Sequence, residues 1–219
     1  MCGRYRRTTA EEELAKRYHI PIPRQTDLPI SWNVAPSQNV LVIRKNPETG
    51  ERSLDAIKWG LVPSWAKDER IAYKTINARV ETIDTSPSYR GAFKKRRCLI
   101  PADGFYEWQR AGDLKQPFAI GLKSGEPFCF GGLWEGWQKS EDEWLKTCTI
   151  ITCEPNEFMA TIHNRMPVIL PEAVQEAWLS GEAGKEILTP YPAEEMTAWP
   201  ISTRMNSPRN NDSRIIDQV

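Results

Sequence analysis

The sequence has few of the residues that build metal sites or disulfide frameworks. Its 219 residues include two histidines, His19 and His163, and five cysteines, with irregular spacing and no Cys-x-x-Cys pair. An odd number of cysteines argues against a disulfide framework, and the ligand spacing of a structural zinc site is missing. We therefore expect no metal or organic cofactor. We expect Cys98, Cys129 and Cys148 to be small buried hydrophobic residues.

Long apolar runs, internal repeats and an excess of charge are also missing. No stretch approaches the roughly 20 apolar residues that span a bilayer, and no apolar run follows the basic N-terminus as in a signal peptide. The 29 Lys and Arg residues balance 29 Asp and Glu residues. This balance argues against nonspecific coating of nucleic acid, but it permits a local basic groove. We predict a cytoplasmic monomer with a single domain over residues 1–219.

Short strands dominate the predicted secondary structure. The predicted strands are 39–45, 53–59, 97–101, 104–110, 116–122, 127–134 and 144–153. The predicted helices are 9–19, capped by Thr8 or Thr9, then 155–160, 171–180 and a short one at 182–189. Pro171 and Gly181 suit the start and the end of one helix. Because strands outnumber helices without regular interleaving, the fold class is α+β, with a mostly antiparallel and partly closed barrel and peripheral helices.

The first candidate for chemistry is Cys2, which becomes the N-terminal residue once Met1 is removed. It then carries an α-amine with a pKa of about 7.7–8.0 and a thiol with a pKa of about 8.5. Such an aminothiol condenses with an aldehyde to an imine, and the tethered thiol then closes a thiazolidine ring. Gly3 permits close backbone approach, and Arg4 suits a phosphate. The alternative is that Cys2 is an incidental residue on a frayed terminus.

Three further segments contain candidate functional residues. Asn77 could orient an anion or a thiol and Arg79 could bind phosphate, although an ion pair with Glu81 explains Arg79 equally well. Glu107 lies between two aromatic residues, where a carboxyl group gains proton affinity and can act as acid or base. An outward-facing strand carboxylate is the alternative. His163 is a proton-transfer candidate, or a satisfied structural histidine.

Together and in this order, the motifs of the chain are specific. They are MCGR at 1–4, WNVAP at 32–36, WGLVPSW at 59–65, INARVET at 76–82, RCLIPADGFYEW at 97–108, IHNRMP at 162–167 and PISTRMNS at 200–207. The chain resembles the SRAP family, the SOS response-associated peptidases or abasic-site-processing proteins, from residue 2 to about residue 216. This resemblance supports the α+β fold and implies a role in the DNA damage response.

The resemblance implies a covalent reaction with abasic sites in single-stranded DNA. Cys2 would be the nucleophile, Asn77 would position Cys2 and the opened sugar, Glu107 would act as acid and base, and His163 would assist ring opening. Removal of Met1 would be autoproteolytic, and a strand-cleaving lyase activity is a further implication. The implied DNA-binding residues are Arg4, Asn33, Pro36, Trp65, Arg79 and Arg165.

The chain departs from the family pattern at two positions. Ala66 follows Trp65 where the family often has a second aromatic residue, which puts part of a stacking wedge in doubt. Asn164 stands where the family commonly has aspartate, which removes a charge near His163. Two other functions are open: an N-terminal cysteine peptidase that uses Cys2, His163 and Asn77, and a single-stranded DNA-binding module without chemistry.

Overall fold

The computed structural model describes residues 2–21, 26–112 and 114–219, and these ranges contain thirteen strands and four α-helices. The strands are β1 (Arg4–Arg7), β2 (Ser31–Val34), β3 (Asn39–Lys45), β4 (Arg52–Trp59), β5 (Asn77–Arg79), β6 (Arg97–Ala102), β7 (Gly104–Ala111), β8 (Leu114–Leu122), β9 (Phe128–Gln138), β10 (Trp144–Cys153), β11 (Met166–Pro167), β12 (Ile169–Leu170) and β13 (Met196–Pro200). The helices are α1 (Glu11–Arg17), α2 (Arg90–Lys95), α3 (Glu157–Ala160) and α4 (Glu172–Ser180). Short 3-10 helices cover Glu69–Lys74, Lys185–Ile187, Ala193–Glu195, Thr203–Asn206 and Ser213–Ile216.

Five strands form a closed circuit. β3 pairs antiparallel with β4 and β6, β6 with β9, and β9 with β10, while β10 returns to β4 in parallel. Closure of a sheet removes its exposed edges. This circuit confirms the α+β fold class with a barrel-like core, and β5, which also pairs in parallel with β10, extends it.

A second sheet brings the first residues of the chain beside β7. Its strand order is β13-β8-β7-β1-β2, and every neighbouring pair in that order is antiparallel. In β1, Arg4 lies opposite Tyr106 and Tyr5 opposite Phe105. The buried ring of Tyr5 packs edge-on against Trp59, with ring centroids 5.5 Å apart, and so joins the sheet to the barrel. The segment before β1 is thereby held next to Glu107.

Several predicted elements are confirmed. β3 and β10 have the predicted bounds. Pro171 is the N-cap of α4, and Gly181 ends that helix in the left-handed region, with φ at 86°, where glycine is favoured. Asn156 caps α3 by accepting a hydrogen bond from the backbone N–H of Met159. The predicted helix at 182–189 is a 3-10 helix over Lys185–Ile187.

The predicted cap of the first helix is wrong. The N-cap of α1 is Ala10, which makes no side-chain hydrogen bond. Asp103 accepts hydrogen bonds from the backbone N–H groups of Thr8 and Thr9, at 2.6 and 3.0 Å, and from the hydroxyl of Thr9. The two threonines therefore anchor the chain to the end of β6 instead of capping the helix.

All five cysteines are buried and free, as expected for Cys98, Cys129 and Cys148. Within the described ranges, no group of three or more His, Cys, Asp or Glu residues could hold a metal ion. The same part of the chain contains no helix of the length and apolar character that a membrane crossing needs.

Candidate active site

Cys2 lies inside the protein, just before β1. Its side chain is 0% exposed, and its backbone carbonyl oxygen accepts a hydrogen bond of 2.9 Å from the side-chain amide of Asn77. Burial raises the pKa of the Cys2 thiol well above its usual range, and the charge of Glu107 acts in the same direction. The thiol is therefore protonated at neutral pH, and its position is fixed through the backbone rather than left to a frayed end.

Asn77 is placed by two strands and a tyrosine. It begins β5, opposite Ile150 of β10, and its own carbonyl oxygen accepts a hydrogen bond of 2.9 Å from the hydroxyl of Tyr89. The Oδ1 atom of Asn77 is buried without a hydrogen-bond partner among the described residues. Buried polar atoms are normally satisfied. This open acceptor beside Cys2 can accept a hydrogen bond from Cys2 or from a bound ligand.

Glu107 is a buried carboxyl group on β7. Its side chain is 2% exposed, so the outward-facing alternative is wrong. Burial raises the pKa of Glu107 to about 7, because the charged form loses its hydration. Near neutral pH the carboxyl group is present in both protonation states. It can therefore either donate or accept a proton.

His163 faces Glu107 across 3.9 Å, measured from Nε2 to Oε2. The backbone N–H of Arg165 donates to Nδ1 of His163 at 3.0 Å, so we assign the ring proton of the neutral imidazole to Nε2. Burial lowers the pKa of His163, which keeps the ring neutral at pH 7. The two side chains form an acid–base pair with a proton facing the carboxyl group.

This pair opens to solvent through a cleft of about 440 Å³. The cleft is lined by Glu107, Trp108, Arg110, Lys115, His163 and Asn206. A neighbouring cleft of about 460 Å³ shares Trp108, Arg110 and His163 with it. The arrangement combines a proton-transfer pair, an aromatic wall and two cations, which suits an anionic ligand with a reactive carbonyl group.

The raised pKa of Glu107 predicts a pH-dependent stability. The folded protein holds this proton up to about pH 7, whereas an ordinary glutamate releases it near 4.5. Between these values the folded state binds more protons than the unfolded state, so stability falls as pH rises, by about 3 kcal/mol in total. Glu107→Gln, which mimics the protonated acid, should therefore unfold at a higher temperature than wild type at pH 8 and at a similar temperature at pH 5.

The control for this prediction is Glu13→Gln, which changes an exposed glutamate of α1. It should leave the difference between the two pH values unchanged. If Glu107→Gln and wild type lose stability in parallel from pH 5 to pH 8, the proton affinity assigned to Glu107 is incorrect.

The predicted DNA-binding arginines differ in how many hydrogen bonds and ion pairs they make within the protein. Arg4 donates to Asn33 Oδ1 at 3.0 Å and to the carbonyl oxygens of Met205 and Asn206 at 3.2 Å each. These bonds attach β1 to the C-terminal segment. Arg79 is exposed and makes no ion pair with the described residues. Its guanidinium group is the one of the two that is available to a phosphate.

Arg165 is held inside the protein rather than presented to solvent. Its side chain is 12% exposed and bonds both carboxylate oxygens of Glu81, with one contact at 3.0 Å, and the carbonyl oxygen of Thr152 at 2.8 Å. Glu81 therefore pairs with Arg165, not with Arg79. A bidentate pair fixes the guanidinium plane, so Arg165 supports the loop that carries His163, and a direct contact with DNA would require this pair to open.

Asn33, Pro36 and Trp65 occupy three different environments. Asn33 is 1% exposed, so it shapes the surface from beneath and does not reach a ligand directly. Pro36 is half-buried in the turn after β2. Trp65 is 57% exposed, with its indole N–H donating to the carbonyl oxygen of Pro87 at 3.0 Å, which leaves its ring face open for stacking.

The buried amide of Asn33 predicts a large contribution to stability. Its Nδ2 atom donates to the carbonyl oxygens of Met205, Ser207 and Asn210, at 2.9 to 3.1 Å. Asn33→Ala leaves these acceptors and Arg4 without this partner, so it should cost roughly 3 kcal/mol in the free energy of unfolding, measured with urea. Asn39→Ala, at an exposed asparagine, should cost less than about 0.5 kcal/mol. Equal losses in the two variants would contradict the role given to Asn33.

Sequence reasoning did not single out four residues that line the cleft: Trp108, Arg110, Lys115 and Asn206. Arg110 and Lys115 become neighbours only through the register of β7 and β8. A Gly-Asp pair at 112–113 between two β-like segments is a hairpin signal that could have revealed this register. Asn206 comes from the far end of the chain, where its Oδ1 atom accepts a hydrogen bond from the indole of Trp108 at 2.8 Å.

The fold and the cleft together define a class of protein: an α+β barrel with a buried cysteine at position 2 beside a carboxyl–imidazole pair. The chain belongs to the SRAP family, because the family model described as SOS response associated peptidase matches residues 1–208. The abasic site processing proteins YoaM and YoqW of Bacillus subtilis are 44% and 43% identical to it, over 99% of this chain and 98% and 99% of theirs. A crystal structure of a protein from Bacteroides thetaiotaomicron superposes with a TM-score of 0.89 at 28% identity, over 100% of both chains.

Proposed function

We propose that this protein processes abasic sites by forming a thiazolidine with the lesion in single-stranded DNA, through Cys2 after removal of Met1. The observation that supports this most is the burial of Cys2 next to Glu107, with Asn77 holding its backbone. An aminothiol beside an acid–base pair suits an aldehyde better than any other common electrophile. The names of the relatives, abasic site processing proteins, agree with this assignment.

The reaction starts with the sugar ring. An abasic deoxyribose exists as a closed hemiacetal in equilibrium with an open aldehyde. Protonated Glu107 donates to the ring oxygen as the ring bond breaks, while water in the cleft takes the proton of the C1′ hydroxyl. His163 assists by donating its Nε2–H to the carboxylate that forms on Glu107. The free aldehyde then lies at the cleft floor.

Two bonds to C1′ follow. The amine of Cys2 attacks the aldehyde carbon, and loss of one water leaves an imine. The thiol sulfur then adds to the imine carbon as the thiol proton passes to the nitrogen, which gives a five-membered thiazolidine. The sum is aldehyde plus aminothiol to thiazolidine plus water, without an oxidant or a metal. Tethering of the thiol makes the second bond intramolecular and fast.

The strand itself is held by charge and stacking. Arg79 and the open ring face of Trp65 are both exposed. Both suit a single strand, because its phosphates bind cations and its bases stack on aromatic rings. Arg4, Asn33 and Arg165 support these surfaces from within through the hydrogen bonds described above. Lyase chemistry at the same site would proceed from the imine.

Purified protein incubated with an oligonucleotide that contains one abasic site tests this function. A slower-migrating species that survives denaturation should appear with the abasic single strand and not with an intact strand of the same sequence. Intact mass should equal protein lacking Met1 plus DNA minus one water. Noncovalent binding alone, alike for both strands, would instead support a DNA-binding module without chemistry.

The family description as a peptidase favours a second activity on the chain itself, removal of Met1. In this proposal the groups that later act on the sugar assist hydrolysis of the bond before Cys2. His163→Ala or Glu107→Ala protein, produced in a strain without methionine aminopeptidase activity toward Cys2, should retain Met1 by intact mass. Full removal of Met1 in both variants would show that neither side chain is needed for that step.

A further inference from the structure

The hairpin formed by β7 and β8 places two cations directly opposite each other at the mouth of the cleft. Arg110 pairs in register with Lys115, so the two side chains lie on the same face of the sheet. Both are exposed. Like charges at opposed positions repel and weaken a strand pair, and sheets ordinarily place opposite charges there. The described residues of the hairpin thus carry an electrostatic cost that they do not themselves offset.

No acidic group of the described chain offsets this cost. Within residues 2–21, 26–112 and 114–219, neither Arg110 nor Lys115 takes part in an ion pair. The carboxyl group that shares their cleft is Glu107, which is buried and therefore only partly ionised near pH 7. As far as the described residues show, the mouth of the cleft is cationic, and the donors of Arg110 and Lys115 face solvent, where an anion can bind them.

The position of the pair fits a ligand that enters the candidate active site. Arg110 lines both neighbouring clefts, together with Trp108 and His163. Its charge acts on the imidazole of His163, so the guanidinium group lies close to the proton-transfer pair. An anion held between Arg110 and Lys115 is therefore adjacent to the group on which Glu107 and His163 act.

We propose that Arg110 and Lys115 form a phosphate subsite that binds a backbone phosphodiester of the DNA strand next to the abasic site. The inference rests on the proposed function, since it takes abasic single-stranded DNA as the ligand. It adds a second point of attachment to that offered by Arg79, which extends from β5 of the barrel rather than from the second sheet. Contacts from two sheets fix the strand over the cleft, so the sugar between them cannot slide past Cys2.

The first test measures reversible binding of an abasic oligonucleotide over a range of salt concentrations, with Cys2→Ala protein, which cannot form the stable thiazolidine. For single strands, each phosphate contact contributes about 0.7 to the slope of log affinity against log salt. Arg110→Gln/Lys115→Gln should therefore reduce the slope by about 0.7 or more. The control, Lys16→Gln/Lys123→Gln, removes the same charge from exposed residues of α1 and of the segment after β8, and should leave the slope unchanged.

The charge-preserving exchange Arg110→Lys/Lys115→Arg should keep the wild-type slope. Thermal unfolding separates binding from folding: because the substitutions relieve repulsion between the strands, Arg110→Gln/Lys115→Gln should melt at the wild-type temperature or above it. An unchanged slope in this well-folded double variant overturns the subsite.

A second test locates the phosphate. In a series of oligonucleotides, one linkage at a time near the lesion is replaced by a neutral methylphosphonate. At one position the replacement should weaken binding to the protein with Arg110 and Lys115 intact, but not to Arg110→Gln/Lys115→Gln. No such position would also overturn the subsite. Covalent capture by protein with Cys2 intact is followed in parallel: if wild type forms no adduct, the proposed function fails, whereas an adduct with unchanged salt slope rejects the subsite alone.

Discussion

Replacing Cys2 by alanine is expected to abolish the heat-stable adduct with abasic single-stranded DNA. The variant keeps a terminal amine but has no sulfur, so the chemistry stops at an imine that water reverses. Under denaturing electrophoresis the shifted band should fall by at least about 100-fold, since no internal cysteine combines a thiol with a free α-amine. Noncovalent affinity for the same DNA should change little, because the side chain is buried and the alanine is smaller.

Cys2→Ser separates the two bonds of the reaction. Its amine still condenses with the aldehyde, so borohydride reduction during incubation should trap an adduct that disappears without reductant. Protein whose Met1 is retained, confirmed by intact mass, should form neither species, because the amine is then part of a peptide bond. A stable adduct from Cys2→Ala without reductant would assign the covalent bond to another residue.

Glu107→Gln is expected to lower the rate of adduct formation by roughly 10²- to 10⁴-fold, the range typical of general acid–base catalysis. In wild type the rate should rise with pH as the α-amine of Cys2 loses its proton. It should then fall as Glu107, with a pKa of about 7, loses the proton that it donates to the ring oxygen. The result is a maximum near neutral pH. Glu107→Gln should lose the falling limb and keep the rising one.

The matched control is Glu11→Gln, which changes a buried glutamate of α1 that bonds Thr26, away from the cleft. It reports any general effect of replacing a buried carboxyl group and should keep both limbs of the pH profile. A falling limb that persists in Glu107→Gln would mean that another group supplies the proton.

The strands that alternate or bury apolar residues could be predicted from the sequence, whereas β1 could not. Its pattern is obscured by Arg7, which is 5% exposed and donates to the carbonyl oxygens of Leu28 and Pro29. From sequence alone an arginine is predicted to lie at the surface, even where it is buried and its N–H groups bond backbone carbonyl oxygens. β13 was missed for another reason: it ends in Pro200 and lies at the edge of its sheet, a position that tolerates proline but weakens the strand signal.

The residues of the candidate site could be predicted from the sequence, but their orientation, burial and contacts could not. Residue types at Cys2, Asn77, Glu107 and His163 suggested the chemistry, yet the orientation of Glu107 depends on sheet packing that periodicity alone left open. For Asn33 and Arg165, membership of a motif did not show whether the residue contacts a ligand or supports the residues that do. Their bonds join residues more than 70 positions apart or lie across strands, information that a linear pattern does not contain.

The complete burial of the Cys2 sulfur has a consequence for the protein at rest. Thiolates attack peroxides and soluble disulfides, so a thiol that stays protonated and shielded from solvent reacts with them only slowly. We expect the resting protein to withstand oxidative stress, the same condition that damages bases in DNA. Its sulfur reacts only once the aldehyde carbon of an abasic site lies beside it, so the thiol stays reduced until the substrate binds.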